Sequence, residues 1–247
     1  MNINMIQAKK SLGQNFLINP AMLDKIVAAA EINSNDIVLE IGPGTGNLTE
    51  RFIRKAGTVI AIEKDRRLIG ELRQKFPNLR TIEGDVLKLN ADELISGKYK
   101  IIGNIPYYIT SHLLRTIFKE WPKPELIVLT IQKEVAQRIA AKPPHMNLLA
   151  LSVQFYSDPK IMGYVSKNNF KPQPKVDSAI IKLLPNLKSS PKIIEKSLEL
   201  AKKAFAGKRK QLKNTLPQIP FGELGLKKES RPEELDLSDW LKIAASL

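Results

Sequence analysis

The order of apolar and polar positions predicts alternating strands and helices from residue 20 to residue 182. Pro20 to Ala30 sets Met22, Leu23, Ile26 and Val27 on one side at helical spacing. Asp36 to Ile41 is a short apolar run stopped by Gly42, the pattern of a buried strand. A helix is expected over 47–55, a strand over 58–63, a helix over 66–75 and a strand over 79–83. Further strands are expected over 99–103 and 125–131. Strands at this spacing, with helices between them, imply a parallel α/β sheet. The stretches 150–156 and 179–184 read as two late strands without a clear helix between them, hence an antiparallel hairpin at the sheet edge. Pro185 to Pro191 holds two prolines and two serines and reads as a linker, and 188–247 reads as helical throughout. Two domains are therefore expected: 1–185, with a lead-in over 1–19, and a small helical domain over 186–247.

Charge adds a partner to this picture. The 247 residues carry 39 Lys+Arg against 25 Asp+Glu, a net charge of +14. Such an excess points to a polyanion, most simply nucleic acid. It is densest after the linker, where 188–247 hold 13 basic and 8 acidic residues. Lys202, Lys203, Lys208, Arg209, Lys210 and Lys213 form a block without an intervening acid, and Lys9 and Lys10 make the lead-in basic. These eight residues are the candidate nucleic-acid contacts; a solvated helix face is the plainer reading of the block. The absence of cysteine excludes disulfides and Cys-based zinc sites. His112 and His145 are too few and too far apart for a histidine metal cluster, so no metal is expected. No apolar run approaches the roughly 20 residues that cross a bilayer, and residues 1–10 lack the apolar core of a signal peptide. A cytoplasmic protein is expected.

Candidate chemistry begins at Gly42-Pro43-Gly44-Thr45-Gly46, between a strand and a helix. Gly42 and Gly44 would let a ligand approach main chain closely. Counting the dinucleotide spacing from Gly42 ends on Asn47, and from Gly44 on Thr49, so the NAD or FAD fingerprint is not met; nor is there a P-loop. Glu63 ends the second strand and Asp85 follows the third, which brings both to the carboxyl edge of the sheet. A carboxylate at the first position suits a ribose diol, and one at the second suits an adenine amino group. Ribose plus adenine without a phosphate cradle fits S-adenosyl-L-methionine, a sulfonium cation. Either acid alone reads as a strand-end carboxylate or a helix cap.

Asn104-Ile105-Pro106-Tyr107-Tyr108 follows the fourth strand. It is similar to the (Asp/Asn)-Pro-Pro-(Tyr/Phe) motif of enzymes that methylate planar exocyclic nitrogens. The adenine N6 lone pair is delocalised and a poor nucleophile. An Asn side-chain oxygen and a backbone carbonyl can accept from that NH2 and favour developing positive charge. Pro106 removes an N–H and stiffens the loop, and Tyr107 can stack on the base. Transfer then needs mainly placement. The alternative is a tight turn carrying a packed tyrosine pair.

Four segments together, 10–17, 40–46, 104–109 and 170–178, resemble the KsgA/RsmA family of ribosomal RNA adenine N6-dimethyltransferases. The likeness extends into the tail at Phe205, the block 208–214 and Arg231-Pro232-Glu233-Glu234-Leu235. The Erm methylases of large-subunit RNA share single motifs; Gly13 before Gln14-Asn15-Phe16-Leu17 and the tail favour KsgA. Ile105 departs from the usual leucine, and Lys208 from a frequent arginine. The resemblance implies a Rossmann-like seven-stranded α/β methyltransferase domain and a small helical domain. It implies that Asn15, Leu17, Gly42, Glu63, Asp85 and Asn104 contact S-adenosyl-L-methionine, and that Asn104, Tyr107 and Phe170 handle the target base. Read without the family, Phe170 is a core phenylalanine or an aromatic on a proline-stiffened loop. The implied substrate is small-subunit (16S) ribosomal RNA in an assembling 30S subunit, with two adjacent adenines each dimethylated. A monomer is expected, acting in ribosome biogenesis.

Overall fold

The computed structural model describes residues 7–207 and 210–247. Its elements begin with β1 (Phe16–Leu17), α1 (Pro20–Ala30), β2 (Ile37–Ile41), α2 (Thr49–Phe52), β3 (Thr58–Glu63), α3 (Arg66–Lys75) and β4 (Arg80–Glu83). There follow β5 (Tyr99–Asn104), α4 (Thr110–Lys119), β6 (Leu126–Gln132), α5 (Lys133–Ile139), α6 (Leu148–Gln154) and β7 (Ser157–Val165). The chain ends with β8 (Phe170–Lys171), β9 (Ser178–Pro185), α7 (Pro191–Ala206), α8 (Leu212–Thr215) and α9 (Leu237–Ser246).

Seven strands form one sheet in the order β4-β3-β2-β5-β6-β9-β7. The pairs β2–β3, β2–β5, β3–β4 and β5–β6 are parallel, and β9 lies antiparallel to β6. β2 is apolar except for Glu40, and all but its first residue are buried, as a strand covered on both faces requires. α1 starts at Asn19, whose side chain caps the Met22 N–H, with Pro20 at the first helical position. It buries Leu23, Ile26, Val27, Ala29 and Ala30 in a core shared with Val38, Val59, Leu72, Val128 and Ile180. Chain order along the sheet reverses between β2 and β5. In open α/β sheets ligands bind beyond the carboxyl ends of the strands at that reversal.

The described chain divides into two compact units, 1–136 with 160–185, and 137–159 with 186–247. The expected boundary at 185/186 therefore needs one change: 137–159 belong with the tail. Met146, Ala150, Leu151 and Phe155 are buried with Ile194, Leu200, Ala204, Trp240 and Ile243 in the core of the second unit. Within that core Phe205 stacks on Trp240 at a centroid distance of 6.2 Å. The expected strand over 150–156 is instead α6, capped by the Asn147 side chain on the Ala150 N–H. Its apolar run lacks a clear period, and the cap decides the outcome. The helical reading of 188–247 holds for α7, α8 and α9, while residues 216–231 turn without forming a helix. No helix among the described residues is long and apolar enough to cross a membrane.

Candidate active site

A cavity opens at the carboxyl edge of the sheet, over the reversal between β2 and β5. Its lining includes Asn15, Leu17, Gly42, Gly44, Glu63, Asp85, Asn104, Pro106 and Tyr107, which the sequence singles out, and also Glu40 and Tyr108. The register explains the gathering. Glu40 pairs with Ile102, Ile41 with Ile62 and Glu63 with Glu83, so the chain leaves β2, β3, β4 and β5 side by side.

The glycine loop is tied to its acidic neighbour. The Gly44 N–H donates to Glu63 Oε2 at 3.1 Å, and the Asp65 N–H donates to Glu63 Oε1 at 2.8 Å. Each carboxylate oxygen keeps a second lone pair for a ligand hydroxyl. Burial pushes the Glu63 carboxyl up, opposed by these N–H donors. Gly44 has φ +59°, and a Cβ there would stand 2.9 Å from the Phe16 ring. The position therefore demands glycine on two counts, conformation and room. Asp85 Oδ1 accepts the Leu87 N–H at 3.1 Å and Oδ2 faces Lys64 Nζ at 2.9 Å. Lys64 holds the Asp85 carboxyl below the usual range, so it stays an acceptor for an exocyclic amine.

The lead-in is a wall of this cavity. The Asn104 amide Nδ2 donates to the Asn15 carbonyl at 2.9 Å, and Asn47 Nδ2 donates to the Leu17 carbonyl at 3.0 Å. Gln14 Nε2 donates to Asp65 Oδ2 at 3.0 Å, and Lys9 Nζ lies 3.6 Å from Asp65 Oδ1. Arg67 binds the same carboxylate at 2.7 and 3.0 Å and holds its pKa far below the carboxylate range. Lys9 and Lys10, both expected at RNA, are both exposed, and the Lys9 ammonium also lies beside the buried Asp65 carboxylate. With Nδ2 bound to Asn15, Asn104 Oδ1 is the acceptor left for a substrate amine. The Tyr107 hydroxyl shares a 2.7 Å hydrogen bond with Ser178 Oγ, which fixes its half-buried ring.

Phe170 takes the core position of its reading without the family, not the cavity position that the resemblance implies. It is 4% exposed, lies in the core with Leu23 and Val165, and does not line the cavity. Its strand β8 pairs antiparallel with β1, Leu17 opposite Phe170. Burial of the ring there anchors the lead-in. In the second unit Lys202, Lys203, Lys210 and Lys213 are exposed, with Lys213 Nζ 3.8 Å from Glu229. Lys208 and Arg209 lie outside the described residues.

Glu40 is the residue that sequence reasoning passed over. It is 1% exposed, accepts the Thr49 hydroxyl at 2.6 Å on Oε2, and its Oε1 is buried without a hydrogen-bond partner among the described residues. Burial pushes its pKa up to about 8, and the Glu63 charge adds to this while Thr49 opposes it. A buried orphan acceptor is costly unless a donor arrives, and a charged acid within an apolar strand was its only sequence signal. The sign of the linkage is definite. The folded pKa lies above the ordinary 4.5, so the ionised form costs folding free energy that grows from about pH 4.5 to about pH 8. Glu40→Gln is expected to raise the urea midpoint of the ligand-free protein near pH 9 and to leave it unchanged near pH 4.5. Equal effects at both pH values would contradict this.

The residues fit S-adenosyl-L-methionine: an orphan acid for an ammonium, a two-oxygen carboxylate for a ribose, an acid for an adenine amine, and a loop no side chain could share. Sheet order and site together define a methyltransferase dependent on that donor, of the kind that acts on a planar exocyclic nitrogen. The family model described as ribosomal RNA adenine dimethylase matches residues 5–243, and the chain belongs to that family. It is 40% identical over 255 residues to ribosomal RNA small subunit methyltransferase A of Dehalococcoides mccartyi strain CBDB1, covering 96% of this chain and 88% of the relative. It is 36% identical to the protein of that name from Clostridium botulinum strain Kyoto, covering 95% and 92%. Among solved structures, a dimethyladenosine transferase from Plasmodium falciparum superposes with a TM-score of 0.78 at 32% identity, covering 92% of this chain and 95% of that one. The 23S rRNA methyltransferase ErmE gives 0.80 at 25% identity, covering 94% and 99%.

Proposed function

We propose that the protein dimethylates N6 of two adjacent adenines near the 3′ end of small-subunit (16S) ribosomal RNA, as a cytoplasmic monomer acting on an assembling 30S subunit. The observation that carries the adenine chemistry is Asn104, held by Asn15 with its oxygen left over, beside Tyr107 in the donor cavity. The small-subunit target rests on relatives at 36–40% identity that are named for it. When bound, S-adenosyl-L-methionine supplies an electrophilic methyl group on a sulfonium sulfur. Glu40, Glu63 and Asp85 would hold its ammonium, ribose and adenine ends. Asn104 Oδ1 accepts one N–H of the target amine and draws it toward a pyramidal, nucleophilic geometry. Pro106 keeps the loop rigid, and Tyr107, pinned by Ser178, offers its ring to the base. None of these residues has to remove a proton before the transfer, so placement is the main contribution.

Incubation of undermethylated small subunits with labelled donor tests the reading. Label is expected in N6,N6-dimethyladenosine of the small-subunit RNA. Label confined to naked large-subunit RNA would overturn it in favour of the Erm activity.

The second unit is proposed to bind RNA through Lys202, Lys203, Lys210 and Lys213, with Lys208 and Arg209 of the same sequence block. Replacing the four described lysines by Gln is expected to flatten the salt dependence of RNA binding by about 0.7–0.9 in log–log slope for each phosphate no longer neutralised. An unchanged slope would return them to a solvated helix face.

A further inference from the structure

Tyr108 is the most exposed large apolar side chain among the described residues, at 62%, yet it lines the donor cavity. It stands next to Tyr107 on the 3-10 turn Tyr107–Ile109. Three residues complete such a turn, so neighbouring side chains diverge by about 120°. Tyr107 reaches to Ser178 on β9, while Tyr108 lies over the lead-in turn at Gly13. A single base cannot stack on both rings.

The lead-in is shaped to seat this second ring. Gly13 has φ +63°, and a Cβ there would meet Tyr108 ring carbons at 3.3 Å and the Pro106 Cβ at 3.5 Å. The turn is closed by the Gly13 N–H donating to the Lys10 carbonyl at 3.0 Å. The ring therefore rests on backbone at its inner side while most of it faces solvent. Two lysines belong to its surroundings: Lys10 is exposed in the turn that Gly13 closes, and Lys64, paired with Asp85, lies within electrostatic reach of the Tyr108 hydroxyl. A supported, solvent-facing aromatic ring beside lysines is the arrangement on which bases of single-stranded nucleic acid stack.

We infer that Tyr108 is a second nucleobase site, at the mouth of the cavity, which stacks the RNA base adjoining the one presented to Asn104 and Tyr107. This rests on the RNA adenine reading and adds to it a subsite for the neighbouring base. Tyr108 acts here as a positioning residue: it orients the strand and leaves transfer to Asn104.

The test compares Tyr108→Phe, Tyr108→Leu and Tyr108→Ala in methylation of undermethylated small subunits. Loss of the ring is expected to raise the KM for subunits about 5- to 100-fold, the range for removal of one base stack. The Phe variant should stay within about twofold of wild type and Leu should behave like Ala, since an apolar side chain without a ring cannot stack. Affinity for S-adenosyl-L-methionine, measured by calorimetry, should be the same in all four proteins. Weaker donor binding with an unchanged KM for subunits would make Tyr108 a wall of the donor site and overturn the inference. Full rescue by Leu would reduce it to packing on Gly13. If the wild type labels only large-subunit RNA, the proposed target fails, and the same KM comparison on that RNA still decides Tyr108.

Discussion

Asn104→Ala is expected to lower the single-turnover rate of methyl transfer by about 10²–10³-fold, the usual cost of removing one preorganised group that acts on developing charge. The structure shows why the loss falls on chemistry. Asn104 ends β5, and its Nδ2 is committed to the Asn15 carbonyl at 2.9 Å, which leaves Oδ1 as the amide's acceptor. Truncation also removes that partly buried hydrogen bond, worth about 1 kcal/mol of stability. A modest drop in melting temperature should therefore accompany the loss, with subunit binding retained. Asn104→Asp separates the two roles, because it keeps an acceptor but sets a carboxylate against the Asn15 carbonyl. Its rate should also fall well below wild type. Single-turnover transfer of labelled methyl measures both, and an Ala variant within tenfold of wild type would contradict the assigned role.

Glu63→Ala is expected to weaken S-adenosyl-L-methionine binding at least about 100-fold, since two hydrogen bonds to a charged acceptor contribute about 1.5–3 kcal/mol each. The same change leaves the loop short of acceptors. The Gly44 and Asp65 N–H groups both donate to this carboxylate, and leaving two such donors unsatisfied costs about 1–3 kcal/mol apiece. Calorimetric titration and thermal denaturation should thus both register it. Glu63→Gln retains one acceptor oxygen and is expected to fall between Ala and wild type in both measurements. A Glu63→Ala protein that binds donor normally would remove the ribose assignment.

Much of the cavity is legible in the sequence because its residues sit where strands end. Gly42, Glu63 and Asn104 each follow or close an apolar run, Asp85 comes two residues after the next strand, and parallel pairing brings such positions together. Glu40 is hidden for the converse reason: it lies inside an apolar run, where an acid reads as an interruption and not as a ligand. Phe170 sits away from its expected place because its partner is Leu17, far away in the chain. No local pattern reports a pairing at that separation, and a proline-flanked aromatic looks like a surface loop. The region 148–154 shows the limit of periodicity. An apolar run without a clear period fits strand or buried helix equally, and only the Asn147 cap separates them. Lys9 shows what charge alone does not report: its exposed ammonium also lies 3.6 Å from the buried Asp65 carboxylate.

The pairing of β1 with β8 also sets an order of assembly. The lead-in is made first, yet its anchors, Phe170–Lys171 on the sheet side and the Asn19–Asn169 side-chain bond, are about 150 residues downstream. Every acid assigned to the donor has been synthesised by residue 85, and Asn47, Asp65 and Asn104 can already hold the facing wall, but the β1–β8 pair that completes its seat forms only after residue 171 has emerged. A nascent chain thus carries the complete donor-ligand sequence long before the last anchor of its cavity wall, and a fragment cut between 104 and 169 would contain those acids and Asn104 while lacking the β1–β8 clasp.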